Sequence, residues 1–407
     1  MTTSQGVGTS ASVLVINCGS SSVKYQLLEP DGHDVLASGL AERIGEDTSR
    51  LNHRVGDDSH TDETPLADHG QAMGAIGDAF ARWGPDLAAA AVCAVGHRVV
   101  QGGAELTAAT VIDGEVERVI DELRELAPLH NPPALAGIRA ARRLLPDVVH
   151  VAVFDTAFFA GLPPAAARYA IPRELADRHA IRRYGAHGTN HAYVSSRTAA
   201  VLDRDPTELN QVTLHLGNGC SAAAIAGGEP VDTSMGLTPL QGLVMGSRSG
   251  DVDPSLHAYL GRVAGMDLVE IDSLLNQRSG LLGLAGVKDM RELLRLRSDG
   301  DEHAEEAYQI YTGRIRHYLG AYAFTLGRLD AVTFTGGVGE NVPDLRATVL
   351  DGLDGFGIEL DAEANHAGAT GPRVISSGRS RVAVLVVPAA EELAIARQAL
   401  TLVSSRP

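Results

Sequence analysis

The sequence predicts an α/β protein composed of two domains that share one plan. A strand, a turn of small residues and a second strand occur near the start of the chain and again near its middle, which indicates an internal duplication. Elsewhere, short β-branched runs alternate with helical patterns, as in sheets that are flanked by helices. The length of 407 residues also suits two domains.

The first repeat starts with a β-branched run. Residues 13–16 predict a strand, 17–22 a turn rich in Ser, 23–28 a second strand, 30–32 a turn and 35–38 a third strand. A P-loop would run from a strand into a helix, and the sequence contains no GxxxxGK[ST] motif. The pattern therefore disfavours the fold of P-loop nucleoside triphosphatases.

The second repeat has the same order. Residues 212–216 and 222–226 predict strands joined by the turn 217–221, and residues 231–233 predict a third strand after a turn at 227–230. We expect the two small-residue turns to face each other across a central cleft.

The remaining sequence is mostly helical in pattern. Apolar spacing predicts helices that include residues 117–126, 134–145 and 305–326, and strands at 148–154, 331–334 and 382–387. The polar residues 45–70 predict an exposed excursion.

Composition limits the classes of partner. The net charge of −17 argues against nucleic acid or an anionic membrane surface as the main partner. The three cysteines include no CxxC pair, so neither a disulfide framework nor a zinc site is expected. Residues 1–12 predict a polar tail rather than a signal peptide, and no apolar run reaches the length of a membrane span. These features together predict a cytoplasmic protein.

Three loops have the composition of a phosphate site. The first runs from Asn17 to Lys24, where hydroxyls and amides donate to phosphate oxygens and Asn17 is suited to hold Mg²⁺ through water. The others are residues 215–221 and the glycine-rich residues 335–341 between a strand and a helix that starts near Pro343. Each loop alone is also explained as a tight turn, but three in this order favour nucleotide binding.

Two arginines accompany these loops. Arg98 lies in an apolar, strand-like context, where a cation requires an anion nearby. Arg248 lies in a loop of glycines and charges, and an internal salt bridge to Asp251 or Asp253 is an equal alternative to a functional role.

A carboxylate and two histidines complete the set. Asp155 ends an apolar strand, where either a catalytic acid or a helix N-cap by Asp155 or Thr156 fits. His187 and His191 are spaced for one helix face, but no third ligand follows, so hydrogen bonding is favoured over metal binding.

Together these motifs resemble the family of acetate, propionate and butyrate kinases. The likeness extends from residue 13 to about residue 396. It is carried by residues 15–24, 96–100, 128–132, 153–158, 183–188, 215–219, 235–239 and 335–341.

The resemblance implies a fold and an activity. The fold is that of the actin, hexokinase and Hsp70 superfamily, with two ribonuclease H-like domains: residues 1–155 with a returning C-terminal helix in 388–407, and residues 156–387 with the nucleotide loops and the dimer interface. The activity is reversible, in-line phosphorylation of acetate, or of another short-chain carboxylate, by ATP. Mg²⁺, or Mn²⁺ in its place, is the implied metal, and the implied assembly is a homodimer.

The resemblance also assigns roles to matching positions. The implied catalytic residues are Asp155, His187, Arg248, Arg98 and Asn218. The implied acid pocket is Arg98, Val100, Leu129, Ala186 and Pro239. ATP would be bound by Lys24, His215, Leu216, Gly217, Asn218, Gly219, Asp289, Met290, Arg291, Gly337, Val338, Gly339, Glu340 and Asn341. The metal would be held by Asn17 and Glu391.

The sequence departs from the family pattern at several positions. Ala186 stands where the family usually has Phe, which predicts room for an acyl chain longer than that of acetate or filling of that room by a neighbour. Ala389 and Ala390 replace a Thr-Asn pair before Glu391, so Glu392 is an alternative metal ligand. Phe159 and Gln101 each replace a usual His, without a predicted consequence.

Three alternative functions stay open from the sequence. A propionate or butyrate kinase would use the same residues. A nucleotide-driven conformational switch would not need Arg98, His187 and Arg248, and a sugar kinase would need Asp155 as a base that removes a hydroxyl proton.

Overall fold

A computed structural model describes residues 12–29, 34–368 and 370–405. The predicted turn at 30–32 and residues 1–11 of the predicted tail lie outside these ranges. Ser12 was included in the tail prediction, but it begins the first strand and is fully buried. No helix in the described ranges is long and apolar enough to cross a membrane.

The strands, in chain order, are β1 (Ser12–Gly19), β2 (Ser22–Leu28), β3 (Val35–Glu42), β4 (Arg50–Val55), β5 (Asp58–Asp62), β6 (Val92–Val99), β7 (Thr110–Val111), β8 (Val149–Phe154), β9 (Asn210–Leu216), β10 (Cys220–Ala226), β11 (Glu229–Thr233), β12 (Ala331–Thr335), β13 (Arg373–Val374) and β14 (Ala383–Val386).

The helices are α1 (His69–Trp83), α2 (Gly114–Glu122), α3 (Asn131–Leu144), α4 (Pro164–Ala167), α5 (Arg173–Arg178), α6 (Gly188–Val201), α7 (Ser255–Val263), α8 (Leu268–Gln277), α9 (Gly280–Ala285), α10 (Met290–Ser298), α11 (Glu302–Leu326), α12 (Gly336–Asn341), α13 (Pro343–Leu350), α14 (Ala362–His366) and α15 (Glu391–Ser404). Short 3₁₀ turns occur at Leu123–Glu125, Ala157–Phe159, Pro206–Glu208 and Asp354–Phe356. The predicted helices and strands are all present, several with longer bounds.

The chain divides into two compact units. The first unit contains the described residues up to Phe158 and from Ala390 onward, and the second unit is Phe159–Ala389. The two domain boundaries predicted from the sequence lie at 155/156 and 387/388.

The first unit is built on a sheet with the strand order β5-β4-β3-β2-β1-β6-β8-β7. Strands β1, β2 and β3 form an antiparallel meander, whereas β6 and β8 run parallel to β1. Helix α3 packs on β1 and β6 beside α1, and α15 contacts β1, β6 and β8. A Cβ built on Gly96 would lie 2.7 Å from Cγ2 of Ile395, so this glycine lets α15 approach the sheet closely.

The second unit repeats this plan. Its sheet has the order β11-β10-β9-β12-β14-β13, with β9, β10 and β11 as the antiparallel meander and β12 and β14 parallel to β9. The long helix α11 packs on β9 and β10, and α6 packs on β9 and β12. Each unit thus contains one meander followed by two parallel strands, which confirms the predicted duplication.

Residues 45–70 are largely exposed, as predicted, but the segment is part of the first sheet rather than an excursion from it. The segment contains the hairpin of β4 and β5, which extends the first sheet. His53 of β4 is fully buried, with Nδ1 2.6 Å from the hydroxyl of Tyr25 and its ring edge-on to Phe80. Alternation of Leu51 and His53 with polar residues marks a one-sided strand, but the surrounding charges obscure it.

Candidate active site

The first group of predicted residues gathers at the carboxyl ends of β6 and β8 in the first unit. Arg98 lies opposite Val153 in the parallel pairing, and Asp155 follows β8 directly. Nη2 of Arg98 donates to Oδ2 of Asp155 at 2.7 Å, and Nε donates to the same oxygen at 3.2 Å. Asp155 is buried, so the pair is largely shielded from water.

The two candidate side chains after β8 both have partners at or after β6. The carboxylate of Asp155 binds Arg98 of β6, and Thr156 accepts a hydrogen bond from the backbone N–H of Gly102 at 3.0 Å. Thr156 therefore holds the loop that follows β6. The apolar setting of Arg98 is explained in the same way, since the guanidinium has a buried counter-ion.

The start of α15 adds two carboxylates to this group. Oε2 of Glu391 lies 3.6 Å from Nη1 of Arg98, and Oε1 of Glu392 lies 2.5 Å from Nζ of Lys24. Burial alone would lower the pKa of Arg98, but Asp155 and Glu391 more than offset that effect and raise it. Arg98 therefore stays charged throughout the physiological range.

Asn17 and Lys24 face each other across the first hairpin. They are direct partners in the antiparallel pairing of β1 with β2. The ion pair of Lys24 with Glu392 links this hairpin to α15, and the lysine side chain is half exposed. The two glutamates thus differ in their surroundings: Glu392 is neutralised by Lys24, whereas Glu391 faces the acid-binding candidate Arg98.

The donor set of this unit suits a magnesium ion. Amide and carboxylate oxygens are its preferred protein ligands, and Mg²⁺ usually takes one or two of them and completes its shell with water and phosphate. In the described part of the chain, no three His, Cys, Asp or Glu side chains are grouped to hold a metal by themselves. Asn17 and Glu391 therefore fit a metal that arrives with a nucleotide.

Besides Arg98, two residues of the implied acid pocket belong to the first unit. Val100 follows the end of β6 and is partly buried, whereas Leu129 is 40% exposed in the turn before α3. Gln101, one of the departures from the family pattern, is buried, and its backbone N–H donates to Oδ1 of Asn131 at 3.1 Å. Its Oε1 accepts from the N–H of Gly103 at 2.9 Å, so Gln101 has a role in holding this loop.

In the second unit, His187 and Arg248 converge on Gly219. A Cβ built on Gly219 would lie 3.3 Å from Cε1 and 3.4 Å from Nε2 of His187, and 3.7 Å from Nη1 of Arg248. Only glycine leaves the space between the ring and the guanidinium open. A small anion at this position would meet the guanidinium of Arg248 and the Nε2 edge of the His187 ring.

His187 occupies an unusual backbone position. It precedes α6 with φ 56° and ψ 21°, the left-handed region that costs a non-glycine residue about 1–2 kcal/mol. Its ring stacks on that of His215 with centroids 4.3 Å apart, and Nδ1 lies 2.9 Å from Oγ of Ser221. The helix begins only at Gly188, so His187 and His191 are not on one helix face as their spacing suggests.

His191 is a hydrogen-bonding residue, as predicted. It is fully buried, with Nε2 2.7 Å from Oγ of Ser221 and Nδ1 2.7 Å from Oγ1 of Thr213. Burial lowers the pKa of His191 well below its ordinary value, and the nearby His215 lowers it further. The ring is therefore neutral at physiological pH.

Arg248 is held by a loop that depends on close backbone packing. Its Nη1 donates to the carbonyl of Pro239 at 3.2 Å, and a Cβ on Gly280 would lie 2.6 Å from the carbonyl oxygen of Arg248. The alternative partners have contacts of their own. Asp251 accepts from the hydroxyl of Tyr318 at 2.7 Å, and Asp253 accepts from the N–H of Ser255 at 2.8 Å.

Most of the predicted ATP residues line a cavity of about 800 Å³ in the second unit. The predicted members of the lining are Gly217, Asn218, Asp289, Met290, Arg291, Gly337, Val338 and Asn341. Its apolar members include Leu281, Leu294 and Tyr311, which suits a nucleobase, and Lys288 adds a charge that suits phosphate. The volume is in the range of sites for small ligands.

The other predicted ATP residues of this unit support the lining. Nδ1 of His215 lies 2.8 Å from Nδ2 of Asn190, and Leu216 is fully buried. Gly339 is buried as well, and Oε1 of Glu340 accepts from the N–H of Ala389 at 2.9 Å. Asp289 caps α10 and pairs with Arg291, which lowers the pKa of Asp289 to about 2.

The glycine-rich segment 335–341 is not the open turn that its composition predicts. Gly336–Asn341 forms the short helix α12 directly after β12. Gly336 has φ +77°, and a Cβ there would lie 2.7 Å from the carbonyl oxygen of Leu216. The buried Arg346 donates to the carbonyls of Gly339 and Glu340 at 2.8 and 2.9 Å, which holds the end of this helix.

Ala186 and Phe159 occupy adjoining positions in the second unit. Ala186 is 1% exposed and belongs to the hydrophobic core of that unit. A Cβ on the preceding Gly185 would lie 2.4 Å from the ring of Phe159, which also packs edge-on against His191. The two departures from the family pattern are therefore neighbours in the fold.

Tyr311 and Lys288 line the cavity but are absent from the prediction, and Ser221 lies in the predicted loop 215–221 without a role of its own. Tyr311 lies in a helical pattern, where no local signal separates it from a core residue. Lys288 had a signal, because it and Lys24 are the only lysines in the chain.

The chain is similar to known proteins over nearly its whole length. Residues 12–397 match the model of the Acetokinase family. An acetate kinase of Clavibacter michiganensis subsp. michiganensis is 55% identical over 388 residues, which cover 95% of this chain and 98% of that protein. The crystal structure of Porphyromonas gingivalis acetate kinase matches with a TM-score of 0.90 and 42% identity, covering 96% of this chain and 99% of the other.

A second solved structure, a propionate kinase from Francisella tularensis subsp. tularensis SCHU S4, matches with a TM-score of 0.91 and 39% identity, covering 96% and 99% of the two chains. The match over nearly the whole length leaves no large segment unaccounted for between residues 12 and 397. The chain belongs to the acetokinase family.

Proposed function

We propose that this protein catalyses the reversible phosphorylation of acetate by Mg-ATP, giving acetyl phosphate and ADP. The observation that carries the proposal is the convergence of His187 and Arg248 on Gly219. This glycine adjoins Gly217 and Asn218, which line the cavity of the second unit. The acetate kinases of Clavibacter and Porphyromonas support the choice of acetate.

The chemistry requires positioning and charge rather than a base. A carboxylate is already ionised and attacks phosphorus without losing a proton. The barrier comes from bringing an anion to a polyanion and from the charge on the equatorial oxygens of the transferring group. His187 and Arg248 would donate to those oxygens, and Asn218 would hold the nucleotide beside them.

Arg98 would bind the acceptor carboxylate. Its guanidinium is fixed by Asp155 through two hydrogen bonds, which leaves Nη1 on the side of Glu391. A guanidinium that is oriented by a buried carboxylate presents its remaining donors in a fixed direction, which lowers the entropic cost of binding the acid. Asp155 thus orients the acid-binding group.

Asn17 and Glu391 would hold the magnesium ion. When bound, Mg²⁺ would offset the negative charge of the phosphates during the transfer. Glu392 is the weaker candidate because Lys24 already neutralises it at 2.5 Å. The same ligands accept Mn²⁺.

A preference for propionate or butyrate is the second candidate. It rests on Ala186, where a phenyl ring is usual, and on the likeness to the Francisella propionate kinase. Ala186 is packed in the core of its unit, and the ring of Phe159 lies against its neighbour Gly185. The likeness to acetate kinases, at up to 55% identity, supports acetate over this alternative.

Two other functions are less well supported. A nucleotide switch has no use for a histidine and an arginine that converge on one glycine. A sugar kinase needs a free base, whereas Asp155 is engaged as the counter-ion of Arg98.

We also propose a homodimer that forms through the second unit. Helices α7 and α8 contact each other and leave apolar side chains unburied, with Tyr259, Val263, Leu268 and Val269 exposed by 54 to 78%. Exposed apolar patches of this kind mark association sites. A Leu268→Asp variant should elute as a monomer in light-scattering chromatography, and a dimeric variant would refute this interface.

The cysteines support a reducing, cytoplasmic compartment. Cys18, Cys93 and Cys220 are free, and burial raises the pKa of the Cys220 thiol to about 11. An unreactive thiol beside the nucleotide loop suits a compartment without disulfide chemistry.

A hydroxamate assay tests the main proposal. Acyl phosphate formation is measured with Mg-ATP and acetate, propionate or butyrate in parallel. We expect the highest kcat/KM with acetate. Activity that rises with chain length would support the second candidate, and ATP hydrolysis without acyl phosphate would refute both.

A further inference from the structure

A buried hydrogen-bonded chain extends behind His187. Oγ of Ser221 lies 2.9 Å from Nδ1 of His187 and 2.7 Å from Nε2 of His191, and the other nitrogen of His191 lies 2.7 Å from Oγ1 of Thr213. Ser221, His191 and Thr213 are fully buried. Water therefore has no direct access to the three supporting groups.

For two neutral rings, with Ser221 donating one of these two bonds, the chain runs in one of two directions. If Ser221 donates to His191, then His187 must donate from Nδ1, and its neutral ring has a bare Nε2. If Ser221 donates to His187, then Nδ1 is an acceptor and Nε2 carries the proton. In the second case His191 donates from Nε2 to Ser221 and accepts from Thr213.

The surroundings of His187 favour the second direction. Its Nε2 and Nη1 of Arg248 lie 3.4 and 3.7 Å from the point that a Cβ on Gly219 would occupy. An anion at that point requires a donor, whereas a bare nitrogen would repel it. A ring that presents Nε2–H is therefore the form that suits the position.

We infer that Ser221 is a positioning residue that holds His187 as the neutral Nε2–H tautomer, through the chain Thr213 to His191 to Ser221 to His187. The inference rests on the proposed function, because the Nε2 proton would be donated to the transferring phosphoryl group. No proton is transferred along the hydrogen-bonded chain, which acts only by fixing which nitrogen of His187 carries the ring proton.

The backbone at His187 is consistent with this role. The left-handed conformation with φ 56° turns the ring away from the ordinary direction for a residue before a helix, at a cost that surrounding contacts must offset. The hydrogen bond to Ser221 and the stack on His215 at 4.3 Å supply such contacts. Removing the hydroxyl should therefore affect tautomer and ring orientation before it affects the fold.

The test is a long-range ¹H–¹⁵N spectrum of the full chain labelled with [¹⁵N]histidine, with the His187 signals identified by their loss in His187→Gln. We expect the wild type to show the Nε2–H pattern at His187 and Ser221→Ala to show a mixture of tautomers. The matched control is Ser195→Ala, on the same helix as His191. It removes a buried hydroxyl that accepts from Nε2 of Gln211 at 2.9 Å. An Nδ1–H pattern in the wild type, or an unchanged pattern in Ser221→Ala, would overturn the inference.

The kinetic readout separates positioning from general damage. Ser221→Ala should lower kcat about tenfold or more while the KM values for Mg-ATP and acetate stay within about twofold, and Ser195→Ala should keep both parameters. Thr213→Val keeps the side-chain volume and should give a smaller loss of kcat with a partial tautomer shift. It also tests the chain if Ser221→Ala does not fold. Equal kinetics in Ser221→Ala and wild type would contradict the assigned role.

The two readouts distinguish the possible failures. The spectrum needs no turnover, so the tautomer is determined even if no acid is phosphorylated. A wild type with the Nε2–H pattern and no acyl phosphate would refute the proposed function and leave the structural assignment of Ser221 in place.

Discussion

The guanidinium of Arg98 holds the carboxylate of Asp155 through two donors, with Nη2 2.7 Å from Oδ2, at the ends of two adjacent parallel strands. The sequence left open whether Arg98 binds an internal partner or a substrate. The structure allows both, because Asp155 occupies one edge of the guanidinium and Nη1 lies on another. Variants of the two residues can therefore measure the contribution of the pair to stability apart from its contribution to catalysis.

The first prediction concerns this pair. Arg98→Met should lower the free energy of unfolding by about 3 kcal/mol, because Asp155 stays buried without its guanidinium partner. The double variant Arg98→Met with Asp155→Asn should recover much of that loss in urea unfolding but none of the activity. A double variant with wild-type kcat/KM for acetate would contradict the acid-binding role of Arg98.

The second prediction distinguishes the two glutamates. Glu391→Gln should raise the Mg²⁺ concentration needed for half-maximal activity about tenfold, because it removes a charged ligand. Glu392→Gln is the matched control, since it removes only a partly exposed pair with Lys24 that is worth less than about 1 kcal/mol. The larger effect in Glu392→Gln would reverse the assignment.

The third prediction uses the space over Gly219. Gly219→Ala would place a methyl group 3.3 to 3.7 Å from His187 and Arg248, and it should lower kcat more than tenfold while the KM for Mg-ATP changes little. Gly74→Ala is the control, because a Cβ there meets nothing within 4 Å. It should keep the activity and stabilise α1 by about 0.5–1 kcal/mol.

The fourth prediction concerns acid stability. Nε2 of His97 lies 2.9 Å from Nδ1 of the buried His150, and burial lowers the pKa of both rings below 6.5, with Arg142 and, for His97, the neighbouring ring adding to the effect. Between pH 6.5 and the folded-state pKa of these two rings, the unfolded chain binds protons that the folded chain does not. Stability should therefore fall as the pH drops below about 6.5.

Urea unfolding at pH 7.5 and 5.5 measures this effect. The wild type should lose stability at the lower pH, and His97→Asn should show a smaller loss. A matched control is His366→Asn, an exposed site whose pKa is raised by the carbonyl of Ala362 and by Asp344, so its contribution has the opposite sign. An unchanged pH dependence in His97→Asn would show that other groups dominate.

Much of the fold was predictable from local pattern. The meanders at β1–β3 and β9–β11 consist of β-branched runs between small-residue turns, and both lie where the sequence places them. The hairpin of β4 and β5 was missed because its burial is one-sided and its charged residues resemble a loop. The helix α12 was missed because three of its first four residues are glycines, and its end is held by Arg346 of the next helix.

The site was predictable only as a set of residue types. The motifs indicate Arg98, His187 and Arg248, but the convergence of His187 and Arg248 on Gly219 depends on the left-handed backbone before α6 and on the loop packed against Gly280. Ser221 and Tyr311 have no local signature, since their roles arise from contacts with residues far away in the chain. Long-range packing of this kind cannot be derived from spacing alone.

The most direct test of the central claim is ³¹P NMR of the reaction of Mg-ATP with [¹⁸O₂]acetate. Attack of the carboxylate on the terminal phosphorus places one acetate oxygen between carbon and phosphorus, so we expect acetyl phosphate with one ¹⁸O-shifted phosphorus signal and ADP as the other product. Unlabelled inorganic phosphate without acetyl phosphate, or label appearing in AMP, would contradict the account.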